Sequence, residues 1–179
     1  YQLSYPEENI RLLTPGQCEE ITEEGLYTCL IRNPHWQSER LTHGRADTCF
    51  LRDAKTPMTK EEVREVSICK LHLTQNAVVY DIGSGTGSVA IEIAGVPGGV
   101  QVYAIERKPE AVELLRKNRA HFHMDNIQII EAPAPEGLEE LPVPTHAFIG
   151  GSGGRLLDVL QTLYRKNPHM RIAVSYTHL

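Results

Sequence analysis

The sequence predicts an α/β fold, a mostly parallel sheet with helices on both faces. Three observations carry this expectation. Short apolar runs alternate with stretches that are apolar at i, i+3 and i+4. The first run, 78-VVYDI-82, passes into the next stretch through a glycine-rich turn, 83-GSGTG-87. The second run, 103-YAIE-106, closes on an acid.

The elements follow in order. A strand is expected over 77–82, a helix over about 87–95, a strand over 100–105, and a helix over about 109–122, where Ala111, Leu114 and Leu115 share one face. Strands at 127–131 and 145–149, a helix over about 154–165 and a strand at 171–175 complete the pattern. Repeated strand–helix units require a parallel sheet covered on both faces, and ligands of such sheets sit at the carboxyl ends of the strands.

Upstream the pattern is weaker. Segments 6-PEENIRLL-13 and 15-PGQCEEITEE-24 suggest short helical pieces, and 26-LYTCLIR-32 an apolar strand. Such a stretch cannot bury a core of its own. The polar segment 33–50 shows no sustained period and is the expected boundary region, so residues 1–36 are assigned to a preceding domain and 37–179 to the α/β domain. The chain closes on 171-RIAVSYTHL-179 with no further helix or hairpin, so an α/β domain lacking its last strands is expected.

Composition excludes several classes. The 179 residues carry a formal net charge of −5, and the isoelectric point near 5.9 argues against tight, sequence-blind nucleic-acid binding. Cys18, Cys29, Cys49 and Cys69 form no C-x-x-C pair, so neither a metal site nor a redox pair is expected. No apolar run approaches the ~18 residues of a membrane helix, and a cytoplasmic location with no membrane partner is expected.

The glycine turn narrows the ligand. A dinucleotide fingerprint wants G-x-G-x-x-G, whereas Gly83, Gly85 and Gly87 give G-x-G-x-G, with Ser88 in the third slot of the longer pattern. The tighter turn suits a small zwitterion and a ribose better than a pyrophosphate. S-adenosylmethionine, which has no phosphate, fits that description. Glu106 stands where a carboxylate can accept from ribose hydroxyls, and Asp81 is expected to face the amino group of the methionine moiety, directly or through water.

Four blocks, 56-TPMTKEEVR-64, 80-YDIGSGTGSVAIEIA-94, 131-EAPAPEGL-138 and 148-FIGGSGG-154, together resemble the decarboxylating C15-methyltransferases of corrin biosynthesis. The resemblance covers about 43–174, and 3-LSYPEENI-10 with 25-GLYTCLIRNP-34 is similar to the closing segment of the partner C5-methyltransferase. It implies a class I, Rossmann-like methyltransferase acting on a precorrin, with loss of carbon dioxide from the ring C acetate and methylation at C15. It also implies S-adenosylmethionine as cofactor and a homo-oligomer, a tetramer, as assembly.

Carried over by position, the implied cofactor contacts are Thr59, Gly83, Ser84, Gly85, Thr86, Gly87, Glu106 and Ala134. Pro133 stands where the family usually has an acid, which removes a backbone donor, and Thr145-His146 stands where an Asp is common.

A substrate with many carboxylates calls for cations and glycine-turn N–H groups. Arg52, Lys55, Lys60 and Arg64 precede the cofactor turn, and Gly150, Gly151, Ser152 and Gly153 form a second turn leading to Arg155. Of these, Arg64 and the 150–153 turn are assigned to substrate. His43 and His146 are further candidates, His121 and His123 are expected at the surface, and no general base is assigned. Two rival functions stand beside this reading: methylation of RNA or protein, and an inactive cofactor-binding remnant.

Overall fold

In the computed structural model of the protein, residues 11–18, 22 and 44–175 are described. The expected strand at 26–32, the pieces similar to the C5-methyltransferase, His43 and the tail 176–179 lie outside them. The chain divides into two compact units, 1–39 and 40–179. The described part of the first contains helix α1 (Pro15–Cys18), where the Gln17 side chain accepts from the Thr14 N–H at 2.9 Å.

The second unit is built on five parallel strands: β1 (Val78–Ile82), β2 (Gln101–Glu106), β3 (Ile127–Glu131), β4 (His146–Ile149) and β5 (Arg171–Val174). Their spatial order is β3-β2-β1-β4-β5. In register, Ile82 lies opposite Ile105 and Ile149, and Glu106 opposite Glu131, so the strands end nearly level. That alignment brings the glycine turn, Glu106, Ala132 and Gly150 into one row along a single sheet edge.

Alternation along the strands divides the core into two layers. Val79, Val102, Ala104, Ile127 and Phe148 pack with helices α2 (Glu61–Leu71), α3 (Ser88–Ala94) and α4 (Pro109–His121). Tyr80, Ile82, Ile105, Ala147 and Ile149 pack on the other face with Leu138 and with Val159 and Leu163 of α5 (Leu156–Lys166). Tyr80 is fully buried, and its hydroxyl donates to the Pro142 carbonyl at 2.6 Å. Each expected strand and helix after residue 76 is present to within two residues.

Helix α2 was not among the expected elements. Its buried positions are Arg64, Ile68 and Leu71, while Val63 and Val66 face solvent beside Glu62 and Lys70, so its inward stripe includes a charge and its outward face mixes apolar and charged residues. Its N-cap is Lys60, which makes no side-chain cap hydrogen bond. The sequence does carry a start signal, 59-TKEE-62 with the S/T-x-x-E spacing of a capping box, but no sustained apolar stripe follows it.

Candidate active site

The glycine turn works by backbone geometry. Gly83 (φ +74°) lies against the backbone of Gly151, and Gly85 (φ +55°) faces Pro57, so a Cβ on Gly85 would come within 2.6 Å of the Pro57 carbonyl oxygen. Only glycine accepts both that φ and that proximity. The N–H groups of Gly83 and Ser84 donate to the Ile105 carbonyl at 2.9 and 3.1 Å, which ties the turn to β2.

Glu106 ends β2 with its carboxylate held by three backbone donors. Oε2 accepts from Gly85 N–H at 2.9 Å, and Oε1 from Arg107 and Lys108 N–H at 2.9 and 3.0 Å. The side chain is thereby aimed rather than free to rotate.

Above this row opens a cavity of about 490 Å³, within the range of small-molecule sites. Its wall combines the segment Lys55–Thr59, the turn Gly83–Gly85, Glu106, the loop Ala132–Ala134 and the turn Gly150–Gly153. Lys55, Arg107, Lys108 and Arg155 bring positive charge to it. Arg155 is also engaged by Glu136 through two contacts of 2.8 and 2.7 Å, and that pairing lowers the Glu136 pKa.

Most of the expected site residues meet in this wall: Thr59, Gly83, Ser84, Gly85, Glu106, Ala134, Gly150, Gly151, Ser152 and Gly153. Three others lie beneath the turn and off the wall. Thr86 is fully buried, its carbonyl accepting from Asn118 Nδ2 at 2.9 Å. Gly87 leaves room for Leu115, whose side chain would meet any Cβ placed there. Asp81 is 1% exposed; its Oδ2 accepts from Ala90 N–H at 3.1 Å, and its Oδ1 is buried without a hydrogen-bond partner. Burial pushes the Asp81 carboxyl up to about 7, with the nearby Glu106 charge adding to the rise.

The assignment of Arg64 to substrate is corrected. Its guanidinium is fully buried, packed over the Phe50 ring at 4.8 Å, and it donates to Asp47 Oδ1 at 2.7 Å and the Thr59 carbonyl at 2.6 Å. A cation closed in this way has no face left for a ligand. Lys60 pairs with Asp47 at 3.3 Å, and Arg52 is exposed away from the wall. Burial acts to raise the Asp47 pKa, but hydrogen bonds from Arg64 and Lys60 outweigh it and hold the carboxyl below the ordinary range.

His146 is also displaced from the reading of the sequence. It opens β4 at the amino end of the sheet, opposite the cavity, and its Nδ1 lies 2.8 Å from Thr145 Oγ1. Desolvation lowers its pKa and favours the neutral ring. His121 is exposed at the end of α4.

Arg107, Lys108 and Asn118 were missed. The first two follow Glu106 directly, a signal available in the sequence. Asn118 continues the inward stripe of Ala111 and Leu115 and bonds both Leu51 backbone groups and Thr86; a polar residue on that stripe was its only mark.

Among the described residues no helix is long and apolar enough to cross a membrane, and no cluster of metal-ligating side chains is present.

Comparison with known proteins agrees with this architecture. A family profile described as the precorrin methyltransferase domain matches residues 48–176. A protein of Sulfolobus acidocaldarius named probable cobalt-precorrin-6B C(15)-methyltransferase (decarboxylating) is 45% identical over 127 residues, 69% of this chain and 65% of its own length. The chain thus spans just under two thirds of that relative. A Salmonella typhimurium protein named cobalt-precorrin-6B C(15)-methyltransferase (decarboxylating) is 44% identical over 131 residues, 73% of this chain and 67% of its own.

Among solved structures, the precorrin-6y C5,15-methyltransferase of Geobacter metallireducens superposes with a TM-score of 0.73 at 37% identity, covering 76% of this chain and 73% of that one. A more distant neighbour, a putative O-methyltransferase from Klebsiella pneumoniae with a TM-score of 0.56 and 22% identity, shares the fold alone. The parallel sheet is therefore that of the class I, Rossmann-like methyltransferases, and with a family match across residues 48–176, the chain belongs to the precorrin methyltransferase family.

Proposed function

We propose that the cleft binds S-adenosylmethionine and that the protein transfers its methyl group to C15 of a precorrin, with loss of carbon dioxide from the ring C acetate. The observation that carries this reading is Glu106, whose carboxylate is fixed by three N–H groups beside the glycine turn. A carboxylate offers about four lone-pair positions. Three are taken by backbone, which leaves acceptor capacity for a ribose hydroxyl.

The residues fit the cofactor's parts in sequence along the sheet edge. Ala134 and its neighbours lie beyond β2 and suit the adenine, Glu106 the ribose, and the Gly83–Gly85 turn with Thr59 the methionine end. The orphaned acceptor Asp81 Oδ1, buried beneath the turn, suits an ammonium reached through water. When bound, the cofactor supplies an electrophilic methyl group. The protein's own part is to position both reactants and exclude water; the second glycine turn and Lys55, Arg107, Lys108 and Arg155 suit the substrate's carboxylates. No residue is assigned as a general base, because the conjugated macrocycle can itself accept the electrons released by decarboxylation.

The test is incubation with a precorrin-6B-type tetrapyrrole, free of or carrying cobalt, and methyl-labelled S-adenosylmethionine. Mass spectrometry should show label on the tetrapyrrole together with loss of carbon dioxide. Label appearing on RNA or protein instead would overturn the substrate assignment.

A further inference from the structure

We infer that Arg64 is a positioning residue of the cleft: it holds the segment 45–59 as a strap over the glycine turn, and so sets the affinity for the methionine end of the cofactor. The inference rests on the reading of the cleft as an S-adenosylmethionine site.

Arg64 is the largest fully buried side chain among the described residues. Its Nη1 donates to Asp47 Oδ1 and to the Thr59 carbonyl, and its Nη2 donates to the Arg45 carbonyl. One planar fork thus joins both ends of the strap, a geometry that the single ammonium of a lysine cannot reproduce. Behind it stands Glu92 of α3, also fully buried. Glu92 Oε1 accepts from Arg45 N–H at 2.5 Å and lies 4.0 Å from Arg64 Nε, while its Oε2 takes Arg45 Nη1 at 3.2 Å. Two buried charges of opposite sign therefore bind the strap to α2 and α3 from below. Charges taken out of water in this way are retained only when paired.

The strap's upper surface belongs to the cleft. Lys55, Thr56, Pro57 and Thr59 line the cavity, and the Pro57 carbonyl rests against Gly85. In the spatial order β3-β2-β1, the loop at Ala132–Ala134 lies on the far side of Glu106 from the strap. A loosened strap therefore acts on the glycine-turn end of a bound ligand and leaves the other end in place. That asymmetry separates positioning from a general contribution to folding, which would weaken every ligand alike.

The experiment is calorimetric titration of the full chain with two probes, S-adenosylhomocysteine and methylthioadenosine, which shares the adenosine half but lacks the amino-acid end. The variants are Arg64→Lys and Asp47→Asn, the second removing one strap anchor while leaving the buried cation in place. Arg64→Lys should weaken S-adenosylhomocysteine by about tenfold and methylthioadenosine by less than about twofold, with Asp47→Asn acting in the same direction and less strongly. Equal losses for both probes would reduce Arg64 to a folding role and overturn the inference, as would unchanged binding of both. Wild-type protein that binds neither probe would overturn it together with the cleft reading. If Arg64→Lys does not fold, Asp47→Asn alone decides by the same ratio.

Discussion

The backbone N–H of Gly85 donates to Glu106 Oε2 at 2.9 Å, so the turn after β1 and the acid after β2 form one hydrogen-bonded unit. Neither residue can move without the other. Gly85 also holds φ at +55° against the Pro57 carbonyl. Gly85→Ala should therefore cost about 1–3 kcal/mol of stability from backbone strain and crowding, read by chemical denaturation. A variant as stable as the wild type would mean that the turn is looser than this geometry.

Asp81 should make stability depend on pH in an unusual direction. Its folded pKa of about 7 lies above the ordinary carboxylate value, so between about 4 and 7 the folded state binds the extra proton. Its contribution is present at acidic pH and is lost as pH rises through 7. Over part of this range His146, whose pKa is lowered, acts with opposite sign. The difference between wild type and Asp81→Asn isolates the carboxyl: thermal melts from pH 4.5 to 7.5 should show wild type losing stability relative to the variant as pH rises. A constant difference would argue against a raised pKa.

The cations on the cavity wall should act on substrate rather than cofactor. Arg107→Ala is expected to raise KM for the tetrapyrrole roughly 5- to 10-fold, with the effect shrinking in high salt, while kcat changes little. Steady-state kinetics at two ionic strengths would check this. A fall in kcat at unchanged KM would move Arg107 from binding to chemistry.

Asn118 should matter more than a helix residue of its type usually does. It bonds Leu51 N–H, Leu51 carbonyl and Thr86 carbonyl at 2.8, 3.0 and 2.9 Å. Asn118→Leu, close in shape, leaves all three backbone groups without that partner and should cost about 1–3 kcal/mol in a denaturation experiment. A neutral outcome would show that water takes over the role.

What the sequence made legible were features with a period or a punctuation mark. Apolar runs marked the five strands, and the glycines with Glu106 marked the sheet edge that carries the cavity, because strand ends in a parallel sheet are level. Helix α2 escaped because its inward stripe passes through Arg64, which reads as a surface cation until burial is known. Asp81, Thr86 and Gly87 lie beneath the turn and off the cavity wall, a difference in depth that spacing along the chain does not show. The expected strand 145–149 already puts His146 at an amino end, away from the ligand edge, and the register of β4, with His146 opposite Val79, places it there.

The central claim is that Glu106 receives the ribose of S-adenosylmethionine, and calorimetry of S-adenosylhomocysteine binding to wild type and Glu106→Ala tests it most directly. The account predicts measurable binding by wild type and a loss of about 1.5–3 kcal/mol in the variant, the range for removing charge-assisted hydrogen bonds. Equal affinity in the two proteins would contradict it and remove Glu106 from the site.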